Sequence, residues 1–220
     1  PPGMIRIGTS GYNYPEWRGT FYPEKFPSGK MLPYYAERFD TVEINYTFYR
    51  MPNAKTIAGW VAETPAGFSF TLKAPQRITH FARLREIDDP LRYFLDTVAG
   101  LGPKLGPLLF QLPPNFKKDL ARLGGLLDRL PPGLRCALEF RHESWFADDV
   151  YERLRAANAA PGQLHGADEL RPAGKGWRDL PRHRGARLEL ELTCGDTGLI
   201  ALVFDDPADP TAGFDTVLVR

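Results

Sequence analysis

Residues 41–49, Thr41-Val42-Glu43-Ile44-Asn45-Tyr46-Thr47-Phe48-Tyr49, decide the fold. Their β-branched and aromatic side chains predict a strand. Val42 and Ile44 fall on one face of it, Glu43 and Asn45 on the other. A parallel strand covered on both faces reads as a nearly continuous apolar run. A carboxylate and an amide at alternate positions therefore ask for a polar space on one side. The pattern returns further along. In 68–74, Thr71 and Lys73 oppose Phe70 and Leu72; in 106–112, Gln111 opposes Phe110 and Leu112; in 135–141, Glu139 and Arg141 oppose Leu138 and Phe140. One polar face on each of four strands fits the inside of a barrel near its C-terminal mouth, where such barrels hold their sites.

Helical spacing fills the gaps between these strands. Apolar periodicity predicts helices over 31–39, 54–63, 89–101, 119–130 and 148–158. A short strand at 4–7 runs into Gly8-Thr9-Ser10-Gly11, and 12–33, rich in aromatics, Gly and Pro, reads as a long structured loop. Strict strand–helix alternation implies parallel strands with right-handed crossovers. No GxGxxG or phosphate-binding loop follows any strand, which weighs against a nucleotide-binding open sheet. The expected fold is α/β, a TIM-barrel-like (β/α) barrel. The rhythm breaks after the fifth unit, which leaves open a barrel that is incomplete or irregular there. Residues 161–185 show no clear period, 187–194 alternate as a half-exposed strand, 195–198 carry turn chemistry, and 199–204 and 216–219 read as further strands. Strands joined by so short a turn are expected to be antiparallel. The whole is read as one domain over 1–220, regular to 160 and divergent from 161 to 220.

Composition narrows the function classes. Of 220 residues, 28 are Lys or Arg and 27 Asp or Glu, a net charge of +1, so bulk attraction to nucleic acid or anionic lipid is excluded as the main idea. No apolar run approaches the ~20 residues of a membrane helix. The opening residues lack a basic stretch followed by an apolar one, so no secretory signal is expected. Cys136 and Cys194 stand far apart and outside any CxxC pair, which argues against zinc ribbons and disulfide scaffolds and fits a reducing cytoplasm. His80, His165 and His183 have no metal-ligand spacing, so neither a metal nor a cofactor is expected.

Several motifs together resemble one family over about residues 4–147. These are Gly8-Thr9-Ser10-Gly11-Tyr12 with Trp17 and Phe21-Tyr22-Pro23; Glu43, Asn45, Phe48 and Tyr49; residues 70–74; Leu109-Phe110-Gln111-Leu112-Pro113-Pro114; and Glu139-Phe140-Arg141-His142 with Ser144-Trp145. They are similar, in order and spacing, to the domain family of unknown function 72 (DUF72, YecE-like). The resemblance implies a TIM-barrel-like fold; it implies no reaction, because fold alone does not fix activity. Past the fifth helix it fades: Leu164-His165-Gly166 echoes a family segment, without a strand legible before it.

Glu43, a carboxylate in an apolar strand, must be paired, hydrogen-bonded or protonated. With Glu139 it makes a candidate acid/base pair, and Lys73 and Arg141 are candidate electrostatic partners that hold an anionic group. The bland alternative is a salt-bridged polar layer that fixes the barrel interior. Candidate substrate contacts are Ser10, Tyr12, Asn45, Tyr49, Gln111, His142 and Trp145. The leading expectation is an enzyme, a hydrolase or isomerase, acting on a small polar, sugar- or phosphate-like molecule. The competing class is a non-catalytic binding protein, for nucleic acid among other ligands. It would use mouth aromatics and the basic stretch of Arg77, His80, Arg83 and Arg85. A degraded barrel without function is the third.

Overall fold

The computed structural model describes residues 5–165, 199–203 and 215–219. Eight strands close into a barrel in the order β1-β2-β3-β4-β5-β6-β8-β7. They are β1 (Ile5–Ser10), β2 (Thr41–Ile44), β3 (Ser69–Lys73), β4 (Leu105–Gln111), β5 (Cys136–Glu139), β6 (Ala159–His165), β7 (Leu199–Val203) and β8 (Asp215–Val219). Helices α1 (Met31–Ala36), α2 (Ala54–Ala62), α3 (Asp88–Val98), α4 (Leu120–Leu127) and α5 (Asp148–Ala156) follow β1 to β5 in turn. Strands β1 to β6 pair in parallel, as does β6 with β8. β7 is antiparallel to both its neighbours, β8 and β1, and completes the ring. The barrel is therefore irregular after the fifth unit, as its sequence suggests, and still closed.

The alternation within each strand sorts side chains into two populations. Val42, Ile44, Phe70, Leu72, Leu108, Phe110, Cys136 and Leu138 are buried in one continuous core with the apolar faces of the helices, among them Tyr35, Ile57, Trp60, Phe94, Leu123 and Leu154. The intervening residues Glu43, Thr71, Lys73, Leu109, Gln111, Ala137 and Glu139 are just as buried but lie outside that core, on the inner face. Register confirms the common side: Glu43 pairs with Ser10 and Thr71, Lys73 with Leu109, and Gln111 with Glu139.

Several boundaries differ from the sequence expectation. Strand β2 stops at Ile44 rather than running to Tyr49, because Asn45 turns helical (φ −80°, ψ −27°) and opens a 3-10 turn at Tyr46–Phe48. The Thr47 hydroxyl ties that turn down, 2.9 Å from the Ile44 carbonyl and 2.7 Å from the Lys73 carbonyl. α1 ends at Ala36 and α3 at Val98, the latter continuing as a 3-10 stretch, Ala99–Lys104. β6 is a strand where none was legible, and Leu164 and His165 are its last two residues. The strand read at 187–194 lies outside the described residues.

Two close approaches fix the start of the barrel. A Cβ on Gly8 would collide with the carbonyl of Thr41, so glycine lets β1 and β2 come together. Above it, the hydroxyl of Tyr35 accepts from the Thr9 N–H (2.8 Å) and donates to the Thr41 carbonyl (3.0 Å), stapling α1 across the same two strands. Tyr35 is 0% exposed. Tyr35→Phe keeps the packing and strands both partners, so it is expected to cost about 1–3 kcal/mol in denaturant unfolding with unchanged circular dichroism. Gly8→Ala is expected to destabilise by a similar ~1–3 kcal/mol, through forced separation of backbones. Gly59→Ala in α2, where a Cβ meets nothing within 4 Å, should instead stabilise by about 0.5–1 kcal/mol. Equal effects at both glycines would refute the close-approach argument.

Candidate active site

The C-terminal ends of β1 to β5 bring polar side chains to the inner face of the wall in two hydrogen-bonded groups. From β1, the Ser10 hydroxyl donates to Glu43 Oε1 at 3.3 Å and accepts from the Asn45 side-chain amide. From β4 and β5, Gln111 Nε2 donates to Glu139 Oε1 at 2.7 Å, and Arg141 Nε donates to the same oxygen at 2.8 Å. Between these two groups stands Lys73 at the end of β3, with its ammonium 5.0 Å from the centre of the Phe48 ring. Glu43, Lys73, Gln111 and Glu139 are all buried, at 1, 7, 5 and 0% exposure. Arg141 reaches solvent from the rim, its side chain 34% exposed, while the carboxylate it holds has none. Three buried polar atoms, Asn45 Oδ1, Thr71 Oγ1 and Glu139 Oε2, have no hydrogen-bond partner among the described residues. Buried polar atoms are normally satisfied, so each of these three retains capacity for a further polar partner.

His80 joins the group from outside the strand pattern. It sits on a single π-helical turn, Arg77–Phe81, a backbone irregularity that recurs at functional sites. Its Nδ1 is 2.9 Å from the Thr79 hydroxyl, and its ring meets Phe48 edge-on at 4.8 Å. Burial holds its pKa below the ordinary value, and the nearby Lys73 and Arg141 charges push the same way, against a smaller opposing pull from Glu139. The imidazole thus senses three charged groups of the mouth at once. The sequence put His80 in a basic loop; the π turn that aims it leaves no periodic signature.

The remaining candidates are placed elsewhere. Tyr12 packs on Tyr35 against the apolar core, and burial raises its pKa. Trp145 is fully buried, stacked on Phe140 at 4.8 Å with its indole N–H on the Phe116 carbonyl (2.6 Å), so it is a packing residue. His142 caps the turn that follows β5, accepting from the Ser144 N–H at 3.1 Å. Tyr49 stands on the rim, 75% exposed. Cys136 faces the core, and burial pushes its thiol up to about 12, which leaves it inert. No trio of His, Cys, Asp or Glu among the described residues is grouped to hold a metal ion. No helix among them is long and apolar enough to cross a membrane.

Known proteins resemble the chain in sequence and in fold. UPF0759 protein YunF of Bacillus subtilis is 34% identical over 182 residues, 79% of this chain and 63% of that protein. UPF0759 protein YecE of Escherichia coli is 34% identical over 189 residues, 82% of this chain and 67% of that protein. The chain thus spans less than two thirds of the length of YunF. Among solved structures, a DUF72 family protein from Thermotoga maritima superposes with a TM-score of 0.65 at 26% identity, covering 78% of each chain. A second, from Enterococcus faecalis, gives 0.54 at 22% identity, over 61% of this chain and 59% of that one, and supports the fold alone. A protein-family model described as "Protein of unknown function DUF72" matches residues 6–181, past the point near 147 where the motifs fade and across the whole of β6. A closed barrel, a family match across most of its length and a third of residues shared with YecE and YunF agree: the chain belongs to the DUF72 family.

Proposed function

We propose that this protein is an enzyme that acts on a small polar, anionic or sugar-like molecule at the barrel mouth by carboxylate acid/base chemistry. The observation that carries the reading is Glu139. One of its oxygens is held by Gln111 and Arg141, and the other, Oε2, is buried with no hydrogen-bond partner among the described residues. An unsatisfied buried acceptor costs about 1–3 kcal/mol, so Oε2 is a place where a substrate hydroxyl or an attacking water gains a hydrogen bond. In this reading Oε2 takes a proton from substrate or from an attacking water. Glu43, oriented by Ser10, is the second carboxylate, and Lys73 and Arg141 hold the substrate's negative charge. His80, whose pKa burial and its cationic neighbours lower, stands beside Phe48 as a further proton acceptor in this reading. Hydrolysis and isomerisation both fit such a set.

Thermal shift against sugars, sugar phosphates and inorganic phosphate tests this reading. A compound that binds the folded protein at about 100 times its Kd stabilises it by ~2.7 kcal/mol, a readily measured rise in Tm. The rise should vanish in Arg141→Met and Lys73→Met. On the compound so found, Glu139→Gln is expected to lower kcat about 10²- to 10⁴-fold while the fold survives. Full turnover in both Glu139→Gln and Glu43→Gln would sink the acid/base assignment.

The pH response supplies a separate check. His80 should titrate below about 6.5, the ordinary value. The folded state then binds that proton less readily than the unfolded chain. Stability is therefore fully present above 6.5 and is lost as pH falls through the folded value. In NMR titrations, Lys73→Met and Arg141→Met should each raise the His80 midpoint, and Glu139→Gln should lower it. A midpoint indifferent to all three would show that these groups do not share a cavity.

A further inference from the structure

Beside the charged mouth, on the loops that follow β2 and β3, lies a surface depression of about 540 Å³ lined by Phe48, Tyr49, Pro75, Arg77, Phe81 and Ala82. Its volume falls within the range of small-molecule sites. Two of its walls are aromatic rings left in water, Tyr49 at 75% and Phe81 at 73% exposure. Phe81 is not exposed for want of order around it. The same segment buries Ile78, Thr79, Leu84 and Ile87 almost completely. Three non-glycine residues just beyond it, Arg83, Leu84 and Glu86, are held at φ of 49°, 63° and 50°. Left-handed backbone of this kind persists only where the surroundings impose it, and it gathers at ligand clamps. The loop therefore presents Phe81 outward from an anchored base.

The depression and the charged mouth share a wall. Phe48 lines the depression and meets Tyr49 edge-on at 5.0 Å, His80 edge-on at 4.8 Å, and the Lys73 ammonium at 5.0 Å. A flat group laid against Tyr49 and Phe81 is thus one side chain away from the cation of the mouth. We propose that this depression seats an aromatic ring of the substrate, and that the ligand class is a ring carrying an anionic group on a short tether, the ring between Tyr49 and Phe81 and the anion at Lys73 and Arg141. The proposal rests on the reading of the mouth as an anion-holding site and adds the ring to it. Arg77 also lines the depression and brings a cation to the same seat.

Calorimetric titration of the full chain with three probes, phenyl phosphate, inorganic phosphate and phenol, separates the parts. Phenyl phosphate is expected to bind at least about tenfold tighter than inorganic phosphate, the increment of a partly buried ring. Tyr49→Ala and Phe81→Ala, at exposed positions that the fold tolerates, should erase that increment and leave the affinity for inorganic phosphate unchanged. Lys73→Met should weaken both phosphates and spare phenol. Equal affinity of the wild type for the two phosphates overturns the ring seat and leaves the anion site standing. Phenol binding that depends on Tyr49 and Phe81, with no response to either phosphate, keeps the ring seat and overturns the anionic class. Binding of none of the three overturns both. A change of oligomeric state in Tyr49→Ala or Phe81→Ala, with probe affinities unmoved, would assign the patch to a second copy of the chain instead.

Discussion

A carboxylate shut away from water has to be compensated where it stands, at a cost of several kcal/mol per ion if it is not. This barrel places two of them, Glu43 and Glu139, on its inner face, together with the Lys73 ammonium. The arrangement around them follows from that constraint. Gln111 is on the neighbouring strand in register with Glu139, so its amide lands on the carboxylate. Arg141, two residues on, returns to the same face and brings the opposite charge. Ser10 is in register with Glu43, and Asn45, where β2 turns helical, holds the serine from the other side. Parallel pairing puts like positions of adjacent strands side by side, and that geometry turns scattered polar residues into a connected layer.

Such a layer needs a rigid frame, because charge compensation fails when distances drift. The long segment between β1 and α1 supplies part of it without regular structure. Gly11, at φ 88°, makes room for Tyr14, whose hydroxyl donates to the Ser10 carbonyl. Tyr22 donates to the Tyr12 carbonyl and lies among Trp17, Phe21, Phe26 and Tyr34, with ring centres 4.8 to 6.1 Å apart. Aromatic pairs add roughly 0.5–1.5 kcal/mol each beyond their area. The loop is thus a small core of its own, clamped to the backbone of the residue that orients Glu43.

What the sequence disclosed and what it hid divide along physical lines. Period-two alternation identified the strands and sorted Glu43, Lys73, Gln111 and Glu139 onto one side, because inside and outside of a barrel wall are read directly from that period. Strand ends were less legible: Asn45 leaves β2 for a turn that Thr47 anchors to β3, a tertiary bond invisible to local propensity. Strand β6 carries Pro161 and Gly162, both poor strand formers, and takes its conformation from pairing with β5 and β8. Tyr12 and Trp145 sit close in sequence to strand ends and still turn into the packing, since position along the chain does not fix the direction of a ring past the last paired residue. His80 was the reverse case, a histidine in a charged loop that one π turn sets against Phe48, the ring that the Lys73 ammonium also approaches.

The closure of the barrel bears on where chemistry can sit. Seven strands run the same way, so at the mouth they end, and the loops that leave them are free to vary without disturbing the wall. β7 runs against them: Leu199, its first residue, pairs with Thr9 of β1 near the mouth. At that point of the rim the wall is the beginning of a strand rather than its end. All the catalytic candidates among the described residues lie on the other arc, β1 to β5, where successive strand ends face one another. That arc is also where the π turn, the left-handed backbone beyond it and the exposed rings of Tyr49 and Phe81 are found. Closing the ring with an antiparallel strand thus secures the wall on one side, while the buried charges, their orienting partners and the adjoining aromatic depression share the other.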